Sequence, residues 1–394
     1  MSDHDTTALI HHPYRPPAGF AAPQVAVHKA STVIFPDVAA MRARDWKHKD
    51  GYTYGLHGTP TTFTLEERIA HLEHGLQCVL APSGLAAIAL VDMALLKQGD
   101  GLLIPVNAYG PGRDFALQQL ADWGISARFY DPMDATAFAD LITPATKLVW
   151  LEAPGSVTME FPDLRGLVAA ARARGVTTVL DNTWGAGIAF NGFDFAGSPG
   201  EGLGCDIVMQ ALTKFPSGGG DVLMGAVTTR DEALHLKLKM AHMRLGLGVA
   251  ANDAELVLRS LPSTALRYHA HDRTARALAA WLQGRPEIAR VLHPALEGSP
   301  GHAHWRASCT AAAGLFSVVF DPRFEPAQID RFVDALRLFK IGYSWGGPVS
   351  LVVPYDLRTM RDPVPWAGTL VRLSIGLEAE ADLRADLAQA LSGL

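Results

Sequence analysis

The sequence predicts an α/β protein of the doubly covered kind: a mostly parallel sheet flanked by helices, followed by a smaller C-terminal α+β domain. Three observations predict it. From about residue 61, short apolar runs recur between amphipathic stretches, the pattern of parallel strands buried on both faces. Several of these runs end on a polar or charged residue, and open α/β sheets bind ligands at the carboxyl ends of their strands. Pro262 then marks a change, after which long helical stretches are joined by apolar runs at 315–320, 349–353 and 370–375.

In chain order, residues 1–50 are rich in Pro, His and Ala, and Pro13, Pro16, Pro17 and Pro23 interrupt any regular element. Such a segment packs poorly on itself and reads as an arm laid over another surface, such as a partner subunit. The stretch 62–75 reads as a helix stopped by Gly75, Val79-Leu80 as a short strand, and Ser83-Gly84 as the opening of a helix over 85–97. Leu102-Leu103-Ile104 is a strand and a helix begins near Pro111. Lys147 to Glu152 forms a strand rich in Val and Leu, and Leu164 to Arg174 an amphipathic helix closed by Gly175. Three more strands follow, ending at Asp181, just before Lys214, and over Val222 to Thr228. The expected organisation is an arm over 1–60, a large domain over 61–260 and a small domain over 261–394.

The bulk composition narrows the function. With 394 residues, 48% of them apolar, the chain buries a large core of the ordinary globular kind. A formal charge of −6 with no basic stripe argues against a nucleic-acid or acidic-membrane partner. No apolar run approaches the roughly 20 residues that span a bilayer. Asp3, His4 and Asp5 are unlike a signal peptide, and Cys78, Cys205 and Cys309 lie far apart without a CxxC pair, so a cytoplasmic home is expected. No metal site is expected: His71 with His74, and His302 with His304, have no further ligand at a familiar spacing.

Lys214 and Asp181, 33 positions apart, carry the chemistry. An amine and a carboxylate at the carboxyl edges of neighbouring strands can grip two ends of one aromatic cofactor. The amine condenses with the aldehyde of pyridoxal 5'-phosphate, and the carboxylate pairs with its pyridine nitrogen. Taken singly, Lys214 also reads as a solvated loop charge and Asp181 as a turn former or helix cap. Ser83-Gly84 before an apolar helix would supply a phosphate cradle, or a plain helix cap. Gly218-Gly219-Gly220 reads as a tight turn, since a strand and not a helix follows it. Tyr109, after a strand end, could stack on a pyridine ring. Arg372 interrupts the apolar run Leu370 to Ile375; buried there, it must be paired, with a substrate carboxylate or with an internal acid.

The chain resembles the Cys/Met-metabolism family of pyridoxal-phosphate enzymes, and within it the cystathionine β-lyases of proteobacteria, from about Tyr52 to the C-terminus. The carriers are Tyr54-Gly55-Leu56-His57-Gly58-Thr59, Pro154-Gly155-Ser156-Val157-Thr158-Met159-Glu160, Asp181-Asn182-Thr183-Trp184, Ala211-Leu212-Thr213-Lys214, Tyr343-Ser344-Trp345-Gly346-Gly347 and Arg372-Leu373-Ser374-Ile375-Gly376. The resemblance implies a fold-type-I enzyme that splits the Cβ–S bond of L-cystathionine to homocysteine, pyruvate and ammonia; the alternatives are a γ-acting relative, methionine γ-lyase or cystathionine γ-synthase, and, behind it, a non-catalytic protein of the same fold. It implies Lys214 as the Schiff-base lysine and Asp181 as partner of the pyridine nitrogen. Tyr109 would stack on the ring and assist proton transfer, and Ser83, Gly84, Leu85 and Thr213 would surround the phosphate. It implies Tyr54 reaching that phosphate from a neighbouring subunit of a homotetramer built from tight dimers. Ser344 and Arg372 would take the substrate carboxylate, with Tyr343, Trp345 and Ser156 shaping the pocket of a small sulfur amino acid. Two positions depart from the family pattern: Leu56 stands where an arginine pairs with the phosphate, and Gly218-Gly219-Gly220-Asp221 replaces Gly-His-Ser-Asp.

Overall fold

A computed structural model of the chain describes residues 5–10, 18–195, 202–361 and 363–394. Its larger sheet has seven strands: β1 (Gln77–Ala81), β2 (Gly101–Pro105), β3 (Ser126–Tyr130), β4 (Thr146–Glu152), β5 (Thr177–Asp181), β6 (Ile207–Gln210) and β7 (Gly225–Thr229). They lie in the order β1-β7-β6-β5-β4-β2-β3. The five from β6 to β3 run parallel, whereas β7 is antiparallel to both its neighbours. Every residue of β2, β6 and β7 is buried, which is why these strands read as continuous apolar runs.

Helices cover the sheet as the periodicity predicts. Gly84–Leu95 packs on β1, β6 and β7 and against the helix Glu232–Leu245. Leu164–Arg172 buries Leu164, Leu167, Val168 and Ala171 as one stripe, and Gly175 follows at φ +65°, the left-handed stop that glycine allows. Beyond Leu261–Ser263 the long helix Thr264–Gln283 leads to a second, five-stranded sheet: β8 (Ile288–Leu292), β9 (Leu315–Phe320), β10 (Lys340–Ile341), β11 (Leu351–Tyr355) and β12 (Leu370–Ser374). Its order is β10-β11-β12-β9-β8, antiparallel except for the β10–β11 pair.

Several boundaries differ from expectation. The helix expected over 62–75 runs Pro60–Leu72: Thr59 and Thr62 cap each other reciprocally, and Pro60 occupies the first position, where its missing N–H costs nothing. The helix expected over 85–97 runs Gly84–Leu95. The strand expected from Val222 begins at Gly225, because Met224 pairs instead with Thr213. Strands β3, β8 and β10 had no counterpart in the sequence reading. The arm does contain regular structure: Asp5–Ile10 and Val38–Arg42 are short helices, and the first packs on Leu261–Ser263 of its own chain. Pro13, Pro16 and Pro17 lie outside the described residues.

Candidate active site

The parallel register fixes the floor of the site. Glu152 ends β4, Asp181 ends β5, and the two are direct partners across the strands. Lys214 follows β6 by one turn. Its Nζ donates to Ser344 Oγ at 2.7 Å and lies 5.4 Å from the centre of the Trp345 ring. Burial, then the Arg372 charge, pulls the Lys214 amine down to about 8, with Asp181 opposing them. A lysine lowered in this way carries far more free amine at neutral pH than an ordinary lysine, as a nucleophile or proton acceptor requires. Burial raises Asp181, while the hydroxyl and N–H of Thr183 and the Lys214 charge favour its anion; the Thr183 N–H bond is 3.0 Å.

Ser344 sits at φ +83°, a conformation that costs a non-glycine residue about 1–3 kcal/mol and brings its hydroxyl to Lys214. Ser344 and Trp345 therefore join Lys214 although 130 residues separate Lys214 from Ser344. Trp345 also lies edge-on to Phe215, and Tyr343 is exposed beside them.

Arg372 is 7% exposed, yet among the described residues it forms no ion pair and its Nε has no partner. Its guanidinium lies over the Tyr355 ring at 5.4 Å. Of the two readings of this arginine, the internal acid has no candidate among the described residues. A buried guanidinium with unspent donors next to the lysine has the chemistry to receive a carboxylate.

At the other end of the cleft, Ser83 Oγ accepts the Ala86 N–H at 3.0 Å, so Ser83 is a helix cap. Helix geometry leaves the preceding N–H groups, of Gly84 and Leu85, without intrahelical acceptors, aligned with the positive end of the dipole. A Cβ on Gly84 would stand 2.8 Å from Ala211 Cβ, so only glycine lets this helix start reach the end of β6. Thr213 clamps its own loop: its hydroxyl donates to the Met224 carbonyl at 3.2 Å and accepts the Met224 N–H at 3.0 Å. Tyr109, 43% exposed, lines one cavity with Glu152 and Asp181. Ser156 donates its N–H to the Asn107 carbonyl at 2.7 Å, holding the two loops together.

Tyr54 and Leu56 belong to a different neighbourhood. The Tyr54 ring is edge-on to His57 and its backbone bridges to Thr32. Leu56 lines a cleft with His57, Lys239 and His242, and His57 Nδ1 bonds to Thr53 Oγ1 at 2.8 Å.

Two features escaped the sequence. Glu152 accepts the Tyr109 backbone N–H at 2.7 Å; its place at the end of an apolar run, like that of Asp181, was the available signal. Glu160 accepts from Asn107 Nδ2 at 2.7 Å, from the Thr158 hydroxyl and from Arg361 Nη1 at 2.6 Å. That ties the segment before β12 to the loops around the cleft, across a separation no local pattern shows.

An amine and a carboxylate acting on each other at parallel strand ends, with a free helix start and an unpaired buried arginine beside them, suit the aldehyde, pyridine nitrogen and phosphate of pyridoxal phosphate and a carboxylate substrate. The fold and site are those of a pyridoxal-phosphate enzyme. The chain belongs to the Cys/Met metabolism PLP-dependent enzyme family, whose model matches residues 6–392. It is 41% identical to a putative cystathionine beta-lyase of Rhizobium johnstonii over 94% of this chain and 90% of that one. It is 36% identical to the cystathionine beta-lyase of Salmonella typhimurium over 92% and 91%. The solved cystathionine gamma synthase of Xanthomonas oryzae pv. oryzae, in complex with aminoacrylate and cysteine, superposes with a TM-score of 0.90 at 29% identity, over 100% of this chain and 99% of that one. Among the described residues no helix is long and apolar enough to cross a membrane.

Proposed function

We propose that the protein is a carbon–sulfur lyase that converts L-cystathionine and water to homocysteine, pyruvate and ammonia. The observation that carries the chemistry is the Lys214 amine, drawn down to about 8 and set between Ser344 and Asp181. The names of the relatives matched at 41% and 36% identity support the substrate.

In this reading Lys214 holds the cofactor aldehyde and Asp181 keeps the pyridine nitrogen protonated. Gly84 and Leu85 would donate their backbone N–H groups to the phosphate, with Ser83 and Thr213 shaping the cradle. The bound cofactor supplies an electron sink for charge developing at the substrate Cα. Arg372 and Ser344 fix the α-carboxylate, which aims the Cα–H at Lys214 Nζ. The Lys214 amine would accept that proton as general base. Tyr109 would help hold the cofactor and assist the transfer, and Tyr343, Trp345 and Ser156 would border the space of the sulfur-bearing chain.

With L-cystathionine as substrate, the keto acid formed is expected to be pyruvate. A predominance of 2-oxobutyrate would identify γ-cleavage, the reading favoured by the likeness to the Xanthomonas γ-synthase, and would sink this one.

The same reading makes the protein a cytoplasmic homotetramer of tight dimers, with a large domain over 61–260 and a small one over 261–394. Phe20, Ile34 and Val38 of the arm are 62%, 90% and 56% exposed, an apolar surface that a second copy would cover. Tyr54, 46% exposed and set against His57 and Thr32, would then reach the partner's phosphate. Mixing inactive Tyr54→Ala with inactive Lys214→Ala protein is expected to restore activity, because some exchanged dimers carry one intact site. No recovery after demonstrated subunit exchange would put Tyr54 in its own subunit's site.

A further inference from the structure

Glu152 and Asp181 are neighbouring acids in register, both half-buried on the wall of one cavity that Asp92, Tyr109 and Arg113 also line. Among the described residues neither has an ion-pair partner within 4 Å. Arg113 is engaged elsewhere: it donates to the Met360 carbonyl at 2.7 Å and lies over the Phe129 ring. Asp92 accepts from Trp150 Nε1 at 2.8 Å. Two adjacent carboxyls with no cation between them do not both ionise readily. Their surroundings choose between them. Asp181 has the Thr183 N–H and the field of Lys214. Glu152 has burial and the Asp181 charge, which push its carboxyl well up, opposed only by the N–H groups of Tyr109 and Ser156.

Tyr109 depends on this contact. It precedes the helix Gly110–Phe115, has no side-chain cap bond of its own, and its carbonyl is spent on the N–H groups of Gly112 and Arg113. Its N–H goes to Glu152 Oε2.

We propose that Glu152 is a positioning residue held as a neutral acid: it fixes Tyr109 through the backbone and leaves Asp181 the only anion at the two strand ends. The proposal rests on the roles given above to Asp181 and Tyr109.

The test uses the full chain loaded with pyridoxal phosphate, and reads the visible circular dichroism of the bound cofactor without substrate, then kcat/KM. Glu152→Gln keeps a neutral carbonyl acceptor for the Tyr109 N–H. Its dichroism band is expected to match that of the wild type, with kcat/KM reduced by no more than about fivefold. Glu152→Ala leaves that N–H unpaired; the band is expected to lose about half its intensity or more, and kcat/KM to fall about tenfold or more. A glutamine variant as damaged as the alanine one would show that the ionised carboxylate is needed, and would overturn the proposal. An alanine variant with the wild-type band would do the same. Should the alanine variant fail to fold, the glutamine variant decides alone. A wild-type protein that takes up no cofactor overturns the underlying reading as well, and is told apart by needing no variant.

Discussion

Lys214→Ala is expected to abolish turnover, lowering kcat by about four orders of magnitude or more, because one amine serves as covalent anchor and as general base. The fold should survive. Lys214 donates one side-chain bond, to Ser344, and burial already disfavours its charge, so the alanine protein should melt at or near the wild-type temperature. The visible band of covalently held cofactor should disappear, leaving at most the spectrum of the free aldehyde. A variant that retained both that band and pyruvate release would remove Lys214 from the centre of the chemistry.

Arg372→Leu should be nearly as harmful through binding. A charge-assisted pair to a carboxylate contributes about 1.5–3 kcal/mol, which corresponds to a loss in kcat/KM of roughly 10–150-fold, expressed mainly in KM. Stability should hold or improve, since the substitution removes a buried charge with an unpaired Nε. Comparing amino acids with amines that lack the carboxylate isolates the effect, because the amines should lose much less. Equal losses for both substrate types would assign Arg372 to the architecture of β12 and not to the substrate.

Much of the frame was legible because burial leaves a simple trace. The apolar runs ending at Glu152, Asp181 and Gln210 are central strands, and nothing polar interrupts them. The edge strands β3 and β8 leave no such trace. In β3, Ser126 and Arg128 face outward, and in β8 Ala289 and Arg290 are exposed, so both lack a continuous apolar run. The start at Pro60 is set by Thr59 and the proline and not by apolar periodicity, which begins further on at Phe63 and Leu65. Of the site, the strand-end positions of Asp181 and Lys214 follow from local pattern alone. The bond from Lys214 to Ser344 and the ion pair of Arg361 with Glu160 do not, because they depend on how distant segments come together. Glu152 was missed for another reason. A carboxylate after a strand looks the same whether it is ionised, neutral or merely in a turn, and only its register beside Asp181 sets it apart.

The reciprocal bonds between Thr213 and the Met224 backbone separate two properties of the intervening segment. They anchor the residue next to Lys214 to the start of β7, so the placement of the amine is decided at the base of the loop. The glycines at 218–220 lie at its tip, where doubling a flexible loop costs only about 0.6 kcal/mol. Composition at the tip is nonetheless constrained: Gly218 and Gly220 hold φ of +67° and +76°, and a Cβ on Gly218 would stand 2.2 Å from Arg267 Nη1. At the base, the hydroxyl of Thr213 supplies both a donor and an acceptor, and its own N–H adds a third bond to the Met224 carbonyl at 3.2 Å, so backbone and side chain hold the lysine's neighbour together.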